Sequence, residues 1–375
     1  MLLGFGVKNY FSFKEGVEVS LKKRAKDSSE LKAIDILCVK GANGSGKTNL
    51  LKIISFMHHF CCDSFKLKPE DIIGVESFFE KDEPSEFYID FTIDETQYRY
   101  ELSITDTNVL RETLFRKKQR FVKIIERIDD EITLRINEFE DIDIIKLRSN
   151  ASLISTAHQY EVESINPIYY FFSSIISNVT MYGRYSEKWE LSSVAELYYK
   201  DKSIFTFMKE LIKKCDLGIY DIKIKKRKDE TNSDIFYPEF IHKTNNSHKK
   251  LLYRNQSSGT RALFTQLWIY EAILDEGGVL VLDEFDINLH PHILPLLLEL
   301  FKNKKINKHN SQLIFTTHNT QIIDSLGKYK VFLVNKEDNE SYGYRLDEIP
   351  GEMIRNDRPI SPLYDSGKIG GVPEL

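Results

Sequence analysis

Gly41-Ala42-Asn43-Gly44-Ser45-Gly46-Lys47-Thr48 decides how this chain is read, because it satisfies G-x-x-x-x-G-K-[ST] at each fixed position. Its flanks agree: Ile36-Leu37-Cys38-Val39 reads as a buried strand and the stretch from Asn49 to Phe60 as a helix. In that context the glycines let successive backbone N–H groups turn inward onto phosphate oxygens, and the helix start adds its positive dipole end. Lys47 is placed to reach the terminal phosphates, in binding and in catalysis, and the Thr48 hydroxyl to ligate Mg²⁺. The expected nucleotide contacts are Asn43, Gly44, Ser45, Gly46, Lys47, Thr48 and Asn49. A glycine-rich turn with no ligand is the alternative that the flanks argue against.

The second half of the chain bears on whether the nucleotide is cleaved. Gly278-Val279-Leu280-Val281-Leu282 is a continuous apolar run, as expected of a central parallel strand covered on both faces, and it ends in Asp283-Glu284. Carboxylates at the carboxyl end of such a strand sit at the ligand edge of the sheet. Asp283 is therefore the expected Mg²⁺ partner, and Glu284 the expected base that orients or deprotonates water. A further apolar strand, Leu313-Ile314-Phe315, runs into Thr316-Thr317-His318, so a histidine is expected at the same edge, where its imidazole can bond the γ-phosphate or the water. Asn255-Gln256-Ser257-Ser258-Gly259-Thr260 leads into an apolar helical stretch from Arg261 to Leu274. Such a start is either a second anion-binding terminus, through the Ser257 hydroxyl and the Gly259 and Thr260 amides with Ser258 alongside, or an ordinary helix cap by Ser257 or Ser258.

In this order the motifs resemble the ATPase heads of the ABC superfamily: Walker A at 41–48, signature at 257–260, Walker B at 280–284 and switch histidine at 318. The similarity is closer to the transporter-unrelated branch of SMC, RecF and overcoming-lysogenisation-defect heads. Asn9-Tyr10-Phe11-Ser12-Phe13, the run Asp283-Glu284-Phe285-Asp286-Ile287-Asn288-Leu289-His290-Pro291 and the tail from Leu363 to Pro373 look like the AAA-type ATPases of bacterial abortive infection and phage defence. The resemblance implies an α/β fold, a P-loop ABC-type head with a central, mostly parallel sheet, an antiparallel β subdomain and a helical insertion. It also implies a head-to-tail homodimer, or a higher even-numbered assembly, in which Ser257 and Gly259 of one copy meet the γ-phosphate held by the other and Asp286 lies in a loop crossing the interface. The signature departs from Leu-Ser-Gly-Gly-Gln by having Gln256 and Ser258 where leucine and glycine usually stand.

The organisation follows in outline. Segments such as Phe87–Ile93 and Tyr98–Ile104 alternate apolar and polar residues, with a hairpin turn expected at Asp94-Glu95-Thr96. The expected divisions are 1–147, an N-terminal ATPase lobe with the antiparallel subdomain; 148–216, the helical insertion; and 217–375, the lobe with signature, Walker B and His318. No sustained heptad pattern supports long coiled-coil arms. The four cysteines, at 38, 61, 62 and 215, follow no disulfide or zinc spacing, so a cytoplasmic location is expected, and no apolar run is long enough for a membrane partner. His58-His59-Phe60-Cys61-Cys62 invites a metal reading that divergent helical directions oppose.

A net charge of −5 gives no general reason to expect nucleic-acid binding, yet Lys223, Lys225, Lys226, Arg227 and Lys228 cluster upstream of the signature, as do Lys302, Lys304, Lys305 and Lys308 after an apolar helix. Solvated faces explain such clusters equally well, so direct nucleic-acid contact stays open. The expected function is an ATP-hydrolysing, Mg²⁺-dependent switch controlling a separately encoded effector, a nuclease by expectation, in antiphage defence. The alternative is a RecF-like or SMC-like ATPase that binds DNA in repair or recombination. Tyr10 or Phe11 is a candidate to stack on adenine, and Gln159 a candidate to link Mg²⁺ to the helical lobe.

Overall fold

The computed structural model describes residues 1–23, 33–185, 190–245, 247–287, 289–350, 353–354 and 358–372; Asn288 and Pro373, in stretches quoted above, lie outside the described residues. Two compact units form, one from Met1–Tyr185, Gly278–Phe285 and Asn310–Leu375, the other from Ser186–Gly277 and Asp286–His309.

Among the described residues the first unit holds one short two-stranded hairpin and two large sheets. One has six strands, in the order Glu340–Arg345, Val331–Glu337, Ile36–Lys40, Gln312–Thr316, Val279–Leu282 and Ile175–Ser177, and only the Glu340–Arg345 edge runs antiparallel. Ile36–Lys40 is buried at every position, as a strand covered on both faces must be. The other sheet has seven antiparallel strands and contains the Ser85–Ile93/Thr96–Ile104 hairpin. There Thr96 pairs with Ile93, leaving Asp94 and Glu95 as a two-residue turn at φ 45° and 66°, the left-handed pair whose twist suits a hairpin. The first strand, Leu2–Lys8, joins this antiparallel sheet. Buried Gln312 ties the sheets together: its Oε1 accepts from Leu2 N–H at 2.6 Å and its Nε2 donates to the carbonyls of Leu2 at 2.9 Å and Ile34 at 3.0 Å.

Helix Lys47–Asp63 buries Leu50, Leu51, Ile53, Ile54, Met57, Phe60 and Cys61, an apolar stripe at helical spacing. Helices Leu153–Gln159 and Asn166–Ser173 pack beside it, and Phe171 stacks on Phe91 with centroids 4.1 Å apart. The segment expected as one helical insertion, 148–216, is thus divided. Its first part completes the core of the first unit and contributes an edge strand, while Leu191–Lys200 and Lys202–Cys215 belong to the second.

In the second unit, those two helices lie against a three-stranded antiparallel sheet of Ile219–Lys228, Asp234–Lys243 and His248–Leu252. Asp201 starts Lys202–Cys215 by accepting from the N–H groups of Ser203 and Ile204 at 2.8 and 3.0 Å. Phe236, Pro238 and Phe240 point into the unit, so the opposite face of the sheet, with Lys223, Lys225 and Arg227, is left outward. Helix Ser258–Glu276 completes the packing, with Leu263, Phe264, Leu267 and Tyr270 buried.

Candidate functional site

The site is built at the carboxyl ends of three neighbouring parallel strands of the first unit, Ile36–Lys40, Gln312–Thr316 and Val279–Leu282. The loop after the first of these turns into helix Lys47–Asp63 through Gly46, whose φ of 108° is open to glycine and strained for any other residue. A Cβ there would sit 2.5 Å from Ser341 Oγ and 2.9 Å from Ser12 Oγ. Those hydroxyls brace the loop from behind. Ser341 Oγ donates to Ser45 O and bonds Ser12 Oγ, both at 2.7 Å, and Asn49 Nδ2 donates to Ser12 Oγ at 2.9 Å. Asn49, expected as a nucleotide contact, is thereby occupied in holding the loop. Asn43 and Gly44 form the exposed tip, whereas Ser45 is buried.

Lys47 Nζ donates to the carbonyls of Gly41 at 2.9 Å and Ala42 at 2.8 Å, closing the loop into a ring. Burial holds its ammonium below the ordinary lysine value, opposed by the nearby Asp283 and Glu284 carboxylates. Thr48 Oγ1 donates to Asp283 Oδ2 at 2.7 Å, and Thr316 Oγ1 donates to Asp283 Oδ1 at 2.5 Å while accepting from Glu284 N–H at 2.7 Å. The expected pair Thr48 and Asp283 is therefore in direct contact across 235 residues of chain. A hydroxyl and a carboxylate are the hard oxygen donors that suit Mg²⁺, so these residues fit that ion; when bound, it would neutralise phosphate charge.

Glu284 has φ 50°, a left-handed conformation that non-glycine residues rarely adopt, and its side chain is 41% exposed. Such exposure leaves the carboxylate accessible to water. His318 follows the end of Gln312–Thr316 and is exposed.

The second unit carries the serine-rich helix start. Ser257 Oγ accepts from Thr260 N–H at 3.1 Å and bonds Thr260 Oγ1 at 2.7 Å, so Ser257 is the helix cap, and Thr260 Oγ1 donates onward to Asp216 at 2.8 Å. Ser257 and Ser258 are exposed and Gly259 half-buried; Gln256 is buried, its Oε1 3.1 Å from His242 Nε2.

Two residues that sequence reasoning passed over complete the Asp283-Glu284 corner. Asn178 follows the edge strand Ile175–Ser177; its Oδ1 accepts from Asp283 N–H at 2.7 Å and its Nδ2 donates to Asp283 O at 3.0 Å. Arg184 Nη1 donates to Glu284 Oε2 at 2.8 Å. Gln159, by contrast, ends helix Leu153–Gln159 exposed and forms no part of this corner. Tyr10 is fully buried among Phe11, Phe56 and Phe87, so it packs the core and is closed to a base; Phe11 lies under the Lys52 ammonium at 3.6 Å. His58, His59 and Asp63 bring potential ligand atoms within 4.8 Å of one another, closer than helical directions suggested, but Asp63 Oδ1 is already paired with Lys66 at 2.5 Å.

Comparison with known proteins agrees with this architecture. The solved structure titled "Crystal structure of the SmcHead bound to the C-winged helix domain of ScpA" matches with a TM-score of 0.52 at 14% identity, over 92% of this chain and 99% of that one. The "SMC head domain from Thermotoga maritima" matches with a TM-score of 0.46 at 14% identity, over 92% and 98%. The fold is that of an SMC-like P-loop ATPase head, mixed α/β, as expected from the motifs. No curated protein matches the chain. The family model described as "AAA domain, putative AbiEii toxin, Type IV TA system" matches residues 36–324, most of the chain and all the motifs of the site. The chain belongs to this family of AAA-type ATPases associated with abortive infection.

Proposed function

We propose that this protein is an ATP-hydrolysing, Mg²⁺-dependent switch that pairs head to tail with a second copy of itself and controls a separately encoded effector, a nuclease, in antiphage defence. The observation that carries the hydrolytic part is the Thr48–Asp283 contact with Glu284 beside it at the same sheet edge. Asn43 to Thr48 would bind the phosphates, Thr48 and Asp283 the Mg²⁺, Glu284 would orient and deprotonate water, and His318 would meet the γ-phosphate or the water. Pairing is supported by the exposed start of helix Ser258–Glu276, where Ser257, Ser258 and Gly259 are accessible to a second copy. The family description supports the defence setting.

Glu284→Gln tests this reading. It should retain ATP binding, slow hydrolysis at least about a hundredfold and accumulate dimer in a sizing measurement with ATP. Wild-type turnover by that variant would remove Glu284 from its role. Turnover independent of protein concentration, by a monomer, would remove the pairing.

A second reading, direct nucleic-acid binding, has one specific observation behind it. The outward face of the three-stranded sheet presents Lys223, Lys225, Arg227, Lys243 and Lys250 with Tyr237 against two carboxylates, Asp221, which pairs with Lys209, and Glu239, which pairs with Lys250 at 3.3 Å. Lys226 and Lys228, on the same strand, are instead neutralised by Asp234 at 2.5 and 2.7 Å. Among the described residues no helix is long and apolar enough to cross a membrane.

A further inference from the structure

The carboxylate read above as the base already has a cationic partner. Arg184 and Glu284 pair at 2.8 Å with 24% and 41% of their side chains exposed. A pair so open to water contributes little to stability, which leaves a chemical role to be found for the arginine.

Local structure holds Arg184 at this corner. It ends the short hairpin of Val179–Thr180 and Gly183–Arg184, closed by Tyr185 N–H donating to Asn178 O at 2.7 Å. The two Asn178 bonds to Asp283 staple the hairpin to the Val279–Leu282 strand end, and Ser177 Oγ meets Ser55 Oγ of helix Lys47–Asp63 at 2.6 Å. The guanidinium is therefore carried on a frame that touches both the Asp283-Glu284 strand end and the helix that begins at Lys47.

The guanidinium is also only partly satisfied. Arg184 Nε is buried and has no hydrogen-bond partner among the described residues, while Nη1 holds Glu284. A buried N–H left without a partner is costly, and on a guanidinium whose other edge holds a carboxylate it points to a ligand as the second acceptor. The acceptor that this corner is built to receive is an anion held in the loop that Lys47 closes, next to Thr48, whose hydroxyl donates to Asp283 at 2.7 Å. A phosphate group matches the fork of a guanidinium through two N–H donors, and it competes directly with a carboxylate for them.

We propose that Arg184 contacts the γ-phosphate of bound ATP, and that the nucleotide-free head parks this guanidinium on Glu284. Seating the triphosphate transfers Arg184 from carboxylate to phosphate, which leaves Glu284 free for water only when there is a γ-phosphate to attack. ADP offers no such acceptor, so Arg184 returns to Glu284 after phosphate leaves. The inference rests on the reading of residues 41–48 as the phosphate cradle and of Glu284 as the base.

The test measures equilibrium affinity for the β,γ-imido analogue of ATP and for ADP, with Mg²⁺, in Glu284→Gln and in Glu284→Gln combined with Arg184→Gln. Removing the carboxylate first means that any effect of Arg184 cannot come from unmasking a repulsive charge. The second substitution should weaken the ATP analogue about tenfold or more and ADP by less than about twofold, because only the charge-assisted bond to the γ-phosphate is lost. Equal affinities in the two proteins, or equal weakening of both nucleotides, would overturn the proposal. Should the glutamine variant fail to fold by thermal melting, Arg184→Lys in the same background decides: weakening confined to the ATP analogue supports the contact, and unchanged selectivity refutes it. Turnover by Glu284→Gln reports separately on the base, so failure of that assignment and failure of the Arg184 contact are distinguishable.

Discussion

Gly46→Ala and Gly44→Ala separate two reasons for glycine in one loop. Both positions have positive φ, 108° and 76°, so an alanine at either is strained by about 1–2 kcal/mol. Their surroundings differ: at Gly44 nothing lies within 4 Å of an added Cβ, whereas at Gly46 the Cβ meets Ser341 Oγ at 2.5 Å and Ser12 Oγ at 2.9 Å. Those hydroxyls take part in three hydrogen bonds, Ser341 to Ser45 O, Ser341 to Ser12 and Asn49 to Ser12. Displacing them costs about 0.5–1.5 kcal/mol each, so Gly46→Ala should be destabilised by about 2.5–6.5 kcal/mol and Gly44→Ala by about 1–2. For a unit of this size each kcal/mol moves the midpoint by about 2 °C, so the expected shifts in nucleotide-free protein are about 5–13 °C and about 2–4 °C. Differential scanning calorimetry without nucleotide is the assay, because it keeps phosphate contacts out of the comparison. Equal shifts in the two variants would refute the argument that Ser12 and Ser341 set the demand at position 46. A larger shift for Gly44→Ala would do so more strongly.

Two further outcomes are expected. Arg127 is fully buried and donates to Glu112 at 2.7 Å, to Ala151 O at 2.5 Å and to Arg148 O at 2.6 Å, so Arg127→Met leaves a buried carboxylate without its cation and should cost about 3–5 kcal/mol by denaturant titration; a loss below about 1 kcal/mol would show that Glu112 is satisfied by Tyr100, Ser152 and Leu153 alone. If the outward face of the three-stranded sheet binds a nucleic-acid strand through Lys223, Lys225 and Arg227, fluorescence anisotropy with a labelled single-stranded oligonucleotide should show affinity falling about twentyfold between about 50 and about 200 mM salt, a dependence that charge reversal at those three positions abolishes; salt-independent binding, or none, removes that reading.

How much of this was legible in the sequence depends on how far apart the interacting residues lie. The 41–48 loop is a local object: its spacing and its flanks are visible in about thirty consecutive residues, and the buried run at 279–282 announces a central strand because both faces must be apolar. The Thr48–Asp283 contact followed from chemistry, since both residue types answer to the same ion. Arg184 and Asn178 carry no comparable signal. Asn178 adjoins a three-residue edge strand, too short for periodicity, and meets Asp283 only because Val279 pairs with Ile175. Ser12 and Ser341 brace the loop across 329 residues for the same kind of reason. Aromatic residues misled in the opposite direction. Tyr10 offered a ring for a base, yet its surroundings put it at 0% exposure among other rings, the ordinary fate of an aromatic residue near a sheet–helix junction. The helical stretches of 148–216 show the limit of patterning: an apolar stripe says that a helix is covered, not by what, and here Leu153–Gln159 meets helix Lys47–Asp63 whereas Leu191–Lys200 meets the strands of the second unit. Residues that hold a site through long-range pairs are thus the ones a motif search omits, and they are also the ones whose substitution leaves the motif intact while changing what it does. Arg184 has both properties, so nucleotide selectivity in this head should be sensitive to a position that none of its recognisable motifs contains.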